Sequence, residues 1–148
     1  MAVASREIPA DQFAAECRRW AAQIASGSFQ PALVECKAIA MADMDQNFQG
    51  SHDAKGTAWP ERRYECPWPI LIKTGHLRRS VTTDSEPGHV ENIGPRDMAT
   101  GTTVFYAGFH QYGTSKLPPR PFVEVSDKGV DAMEEAVRSF VTSTIFGG

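Results

Sequence analysis

Residues 104–123, VFYAGFHQYGTSKLPPRPFV, constrain the fold of this chain more than any other stretch. Val104, Phe105 and Tyr106 have strand character, and residues 107–112 read as a short aromatic turn of helix. Gly113-Thr114 stops that helix, and residues 117–122 follow as a proline-rich extended clamp. Prolines on both sides of Arg120 hold the backbone extended, so Arg120 and Phe122 project in fixed directions. Phe122 is then an anchor into the core or into a neighbouring subunit, and Arg120 is placed to make a bidentate ion pair. The same run could be taken as a polyproline ligand, but rigid presentation of this type suits an assembly interface better. This is the grammar of a small structural domain, without chemistry of its own.

The rest of the chain supplies helices at both ends. Phe13, Cys17, Trp20 and Ile24 are spaced by four, three and four, which predicts an amphipathic helix over 11–26. Leu33, Cys36, Ala40 and Met44 predict a second over 29–47, with Ser28 as its cap and only Gly27 between the two. So short a link implies an antiparallel helical pair. Residues 49–69 lack periodicity and hold Trp59 and Trp68 beside prolines, which predicts a long flexible loop anchored by the two tryptophans. Thr74 caps one helical turn through Leu77-Arg78-Arg79. Residues 80–84, 89–94 and 103–106 then read as strands, with turns at 86–88 and 97–102. Ser126 caps a last helix bearing Val130, Met133, Val137, Phe140 and Val141 on one stripe. The expected fold is one α+β domain over residues 1–148: an N-terminal helical pair, an antiparallel sheet of three to four strands with a short helix, and a C-terminal helix packed on the sheet.

Composition narrows the function classes. A net charge of −3 argues against a protein whose main business is coating nucleic acid. Residues 1–9 lack the apolar core of a signal peptide, and no run reaches the length needed to span a membrane, so folding in a cytoplasm is expected. Three cysteines without paired spacing are read as thiols, although Cys17 and Cys36 lie about equally far from the helical turn. None of the four histidines, His52, His76, His89 and His110, stands at metal-ligand spacing from a partner. No metal, cofactor or catalytic residue is expected. Ser80 and Cys66 lack a nucleophile elbow, and no phosphate loop is present. The pairs Arg18-Arg19, Arg62-Arg63 and Arg78-Arg79 read as solvated surface, with contact to passing DNA phosphates as the further option.

Three motifs then stand in order: Thr74-Gly75-His76-Leu77-Arg78-Arg79-Ser80, Tyr106-Ala107-Gly108-Phe109-His110-Gln111-Tyr112-Gly113, and Pro118-Pro119-Arg120-Pro121-Phe122. Together they resemble the virion morphogenesis (tail-completion) family of Mu-like tailed phages, and Gly56-Thr57-Ala58-Trp59 resembles the family's G-x-x-W element. The resemblance implies a non-enzymatic subunit of a homo-oligomeric ring that completes the tail or joins it to the head connector. It implies tail-tube, terminator and connector proteins as partners, and residence in the host cytoplasm and then in the virion neck. The competing class is a non-catalytic cytoplasmic regulatory or nucleic-acid-associated domain. The residues expected at interfaces are Trp59, Trp68, Arg78, Arg79, Tyr112, Arg120 and Phe122, with His110 holding a backbone partner at a helix end.

Overall fold

The computed structural model describes residues 9–147, which form five helices and one two-stranded antiparallel sheet. Helix α1 spans Ala10–Ser26 and α2 spans Gln30–Gly50, with Pro31 in the first turn of α2, where no N–H is required. The two do not form the expected pair. α2 turns Ala32, Cys36, Ala40, Met44, Asn47 and Phe48 inward, and its helical partner is α5, Asp127–Phe146. Its small residues allow one close neighbour, and α5 takes that place: Cys36 Sγ lies 3.8 Å from the carbonyl oxygen of Met133. α1 buries no residue and touches α5 instead, where Trp20 meets Phe146 edge-on at 5.3 Å. Cys17, Cys36 and Cys66 are all free, and burial raises the pKa of the Cys36 thiol.

The start of α5 is tied to α2 by one carboxylate. Asp43 Oδ2 accepts from the Ser126 N–H at 2.8 Å and from its hydroxyl at 2.7 Å. The same hydroxyl oxygen accepts from the Gly129 N–H at 3.0 Å, which caps the helix as the sequence predicts. A Cβ on Gly129 would stand 2.2 Å from Asp43 Oδ2, so a larger residue there would displace the carboxylate that holds Ser126. The C-terminal helix therefore packs on α2 rather than on the sheet.

The strand count also differs from expectation. Residues 80–84 are not a strand: α3 runs from His76 to Thr82 and buries Leu77, Ser80 and Val81, a helical spacing that outweighs the β-branched composition. Strand β1, His89–Ile93, pairs with β2, Met98–Thr102, where the sequence suggests a turn. Residues 103–106 form a turn into α4, Ala107–Tyr112, rather than a third strand. The hairpin tip is pinned to the first helix. Arg96 Nη2 donates to the carbonyls of Ile24 and Ala25, which are orphan acceptors at the end of α1, and its guanidinium lies over the Phe29 ring.

Between α2 and α3 the chain runs without helix or strand, apart from an isolated bridge between His52 and Ala58. Trp59 of this stretch is interior. It joins Ala40, Met44, Phe48, Leu77, Val81, Ala107 and Phe122 in the core. Phe48 is the hub, with Trp59 edge-on at 5.9 Å and Phe122 at 5.3 Å. With Trp59 only 4% exposed, Trp59→Ala should destabilise the isolated subunit by about 3–5 kcal/mol, measured as a lowered urea midpoint.

α3 is held to α2 by Arg78 Nε, 2.7 Å from Asp45 Oδ1. The hydrogen bond from Arg78 lowers the pKa of the Asp45 carboxyl. A depressed folded pKa stabilises the fold while the carboxyl is ionised, so this contribution is complete above about pH 5 and is lost as pH falls through the folded value. Asp45→Asn should therefore flatten the acid limb of the stability–pH curve below about pH 4, at a neutral-pH cost of about 1 kcal/mol or less, read by urea titrations across pH.

Candidate functional site

Residues 120–124 are buried at Arg120 and Phe122, yet they belong to no helix and to neither strand of the hairpin. Buried backbone groups need partners, and here side chains supply them. Gln111 Oε1 accepts from the N–H groups of Phe122 and Val123, both at 3.0 Å. Asn47 Nδ2 donates to the carbonyls of Phe122 and Glu124, both at 3.2 Å. Trp59 Nε1 donates to the Pro121 carbonyl at 2.8 Å, and the Arg120 N–H donates to the His110 carbonyl at 2.7 Å. Gly113, at φ 74°, closes this brace: a Cβ there would stand 2.8 Å from Pro119 N and 2.9 Å from the Leu117 carbonyl oxygen. Side chains from α2, α4 and the long loop thus meet on one segment.

The Arg120 guanidinium turns inward and makes no carboxylate pair among the described residues. Nε donates to the Pro60 carbonyl at 2.8 Å and Nη2 to the Glu61 carbonyl at 3.0 Å. Burial, and then the nearby charge of Arg62, lower its pKa. Arg62 Nη2 donates to the Trp68 carbonyl at 2.6 Å, so two guanidinium groups fasten the stretch that the sequence marks as a flexible loop. The His110 ring lacks the expected backbone partner. Its Nδ1 is buried without a hydrogen bond among the described residues, and burial followed by the Arg120 charge lowers its pKa, so the ring is neutral at physiological pH.

Of the seven residues expected at interfaces, Trp59, Arg120 and Phe122 lie inside the subunit. They brace the core and offer no face to a partner in this conformation. Trp68 is half-buried, with the Lys73 ammonium 5.1 Å above its ring. Arg78 is engaged by Asp45, and Arg79 Nε lies 3.1 Å from Glu86 Oε1. Tyr112 is 82% exposed and belongs to a larger apolar shelf with Phe105, at 81%, and Phe109, at 48%. Phe105 and Phe109 meet edge-on at 6.2 Å. The spacing 105, 109, 112 is one helical face, a signal readable in the sequence once residues 103–106 are not assigned to a strand. Just beyond α4 opens a groove of about 690 Å³, bordered by Arg62, Arg63, Tyr64, Lys116 and Leu117.

Ser80 is buried, its hydroxyl 2.7 Å from the Leu77 carbonyl oxygen and 2.8 Å from Thr102 Oγ1. That hydroxyl joins α3 to β2. The three sequence motifs accordingly meet as joints of the fold, and what they present outward is the aromatic shelf and the groove.

The model of the phage virion morphogenesis family matches residues 37–142, from the second turn of α2 through most of α5. No curated protein and no solved structure matches the chain.

The brace sets a quantitative expectation. Gln111→Ala orphans two backbone donors, at about 1–3 kcal/mol each, whereas Gln111→Glu keeps the accepting oxygen and should retain most of the stability. Urea denaturation of the two variants side by side reads the difference.

Proposed function

Because this chain belongs to the phage virion morphogenesis family, we propose that it is a ring-forming structural subunit that completes the tail terminus or joins the tail to the head connector. The family assigns it a part in building the phage particle; the ring and its place at the neck are the finer reading. The observation that carries this reading is the aromatic shelf of Phe105, Phe109 and Tyr112. A subunit this small gains nothing in its own stability from two aromatic side chains more than four-fifths exposed. Tyr and Phe are the residues that make interface centres, because they bury large area at little conformational cost. The groove beside residues 114–118 adds Tyr64 and Leu117 to the apolar surface, with Arg62, Arg63 and Lys116 on its rim.

A head-to-tail contact of this surface with a different face of the next copy closes into a ring when the rotation permits. The partners of this reading are further copies of the chain, the tail tube or its terminator, and the head connector. No described helix is long and apolar enough to cross a membrane. Trp68, Arg78 and Arg79 contribute to this reading as half-buried or surface groups at the borders of the subunit.

Replacing the shelf tests the proposal. Phe105→Ser with Tyr112→Ser should move the melting temperature of the free subunit by no more than about 2–4 °C, since neither side chain supports the core. The same double variant should reduce completed particles about tenfold or more in a complementation assay that counts infectious virions. Normal particle yield from a shelf-less subunit would overturn the assembly reading.

A further inference from the structure

Three ligand-type side chains converge where α3 passes into β1. They are Asp84, after the end of α3, and His89 and Glu91 on β1; one donor atom from each lies within 4.8 Å of the others. His89 and Glu91 stand two apart on a strand and so share one face. His89 Nε2 is 3.6 Å from Asp84 Oδ1 and 3.9 Å from Glu91 Oε2.

Two surface carboxylates are by themselves unexceptional; the imidazole is what distinguishes this place. Its side chain is 4% exposed. His89 Nδ1 lies 2.9 Å from the Ser80 carbonyl oxygen, which can only accept, so Nδ1 carries the proton. In the neutral ring Nε2 then holds a lone pair, and this buried atom has no hydrogen-bond partner among the described residues. A backbone carbonyl fixing Nδ1–H while Nε2 faces carboxylates is how histidine is oriented for a metal ion.

A cation already stands among these oxygens. Lys37 of α2 extends its ammonium to Asp84 Oδ1 at 3.0 Å and to Glu91 Oε2. One positive charge facing two carboxylates leaves a net negative charge and the imidazole lone pair unanswered.

We infer that His89, Asp84 and Glu91 form a binding site for a divalent transition-metal ion of the zinc type, with Lys37 as the resident cation that the metal displaces. One imidazole nitrogen and two carboxylate oxygens suit zinc, whose bonds of about 2.0–2.2 Å place tetrahedral ligand atoms about 3.4 Å apart. The separations at Nε2 approach that value, and rotation of the two exposed carboxylates closes the remainder. Calcium and magnesium seek about six or more oxygens, which these residues do not offer. A fourth position stays open for water or for a donor from another molecule. Metal binding would clamp the residues after α3 to β1 and release Lys37 from the hairpin.

Calorimetric titration of the full, untagged, chelator-stripped chain with zinc chloride tests the site. One zinc per chain is expected, with calcium chloride giving no saturable heat under the same conditions. His89→Gln and, at an exposed position, Glu91→Gln should each weaken binding about tenfold or more. Lys37→Met should tighten it, because the competing ammonium is gone. Circular dichroism confirms that each variant is folded, and Glu91→Gln serves where His89→Gln is not. Absence of one-to-one zinc binding, undiminished binding by a folded ligand variant, or weaker binding by Lys37→Met would overturn the assignment.

Discussion

A segment outside helix and sheet, with Arg120 and Phe122 buried, is the constraint on which this structure depends. Residues 120–124 carry Phe122 into contact with Phe48. A β-ladder would have satisfied the segment's backbone automatically, but here Asn47, Gln111 and Trp59 supply the bonds one at a time. Each unmade bond in such a place costs about 1–3 kcal/mol, comparable with a large fraction of a small domain's net stability. The three side chains come from α2, α4 and the long loop, so the segment acts as the peg that sets their relative positions. Asp43 does the same at the next residues along, where it receives Ser126 and starts α5.

Interior electrostatics follow the same economy. Four arginines that look available in the sequence are committed within the subunit: Arg78 to Asp45, Arg79 to Glu86, and Arg62 and Arg120 to backbone carbonyls. Arginine suits this work because its planar fork reaches two acceptors without bending the chain. With its cations turned to internal joints, the subunit presents aromatic area, rather than a stripe of charge, as its most distinctive outward feature.

How much could be read beforehand depended on whether a residue's partner was local. The existence of α2 and α5, the Ser126 cap and the family motifs were legible because period and cap chemistry are sequence-local, whereas Phe29, not Ser28, stands at the cap of α2 and Val130 faces outward. The pairing of α1 was not: its four-residue stripe identifies a helix but not which neighbour meets it. Ser80-Val81-Thr82 reads as strand by composition and folds as helix because Leu77, Ser80 and Val81 share a buried face. Met98–Thr102 has little strand propensity and becomes one through pairing with β1, in the register that sets His89 opposite Thr102. Trp59 and Arg120 looked like surface anchors because nothing in the sequence discloses that carbonyls 59–62 residues away await their donors.

Helix α4 has two faces and only six residues between them. His110 and Gln111 hold the peg from one side, while Phe109 and Tyr112 stand in solvent on the other. No hinge separates the two tasks. A change of packing that shifts the peg is therefore passed on to the aromatic rings outside, and the exposed surface inherits the tolerances of the interior. Substitution at the shelf leaves the interior dimensions alone, but substitution beneath it has to keep them, as the bearing of a machine does while its working edge is reground.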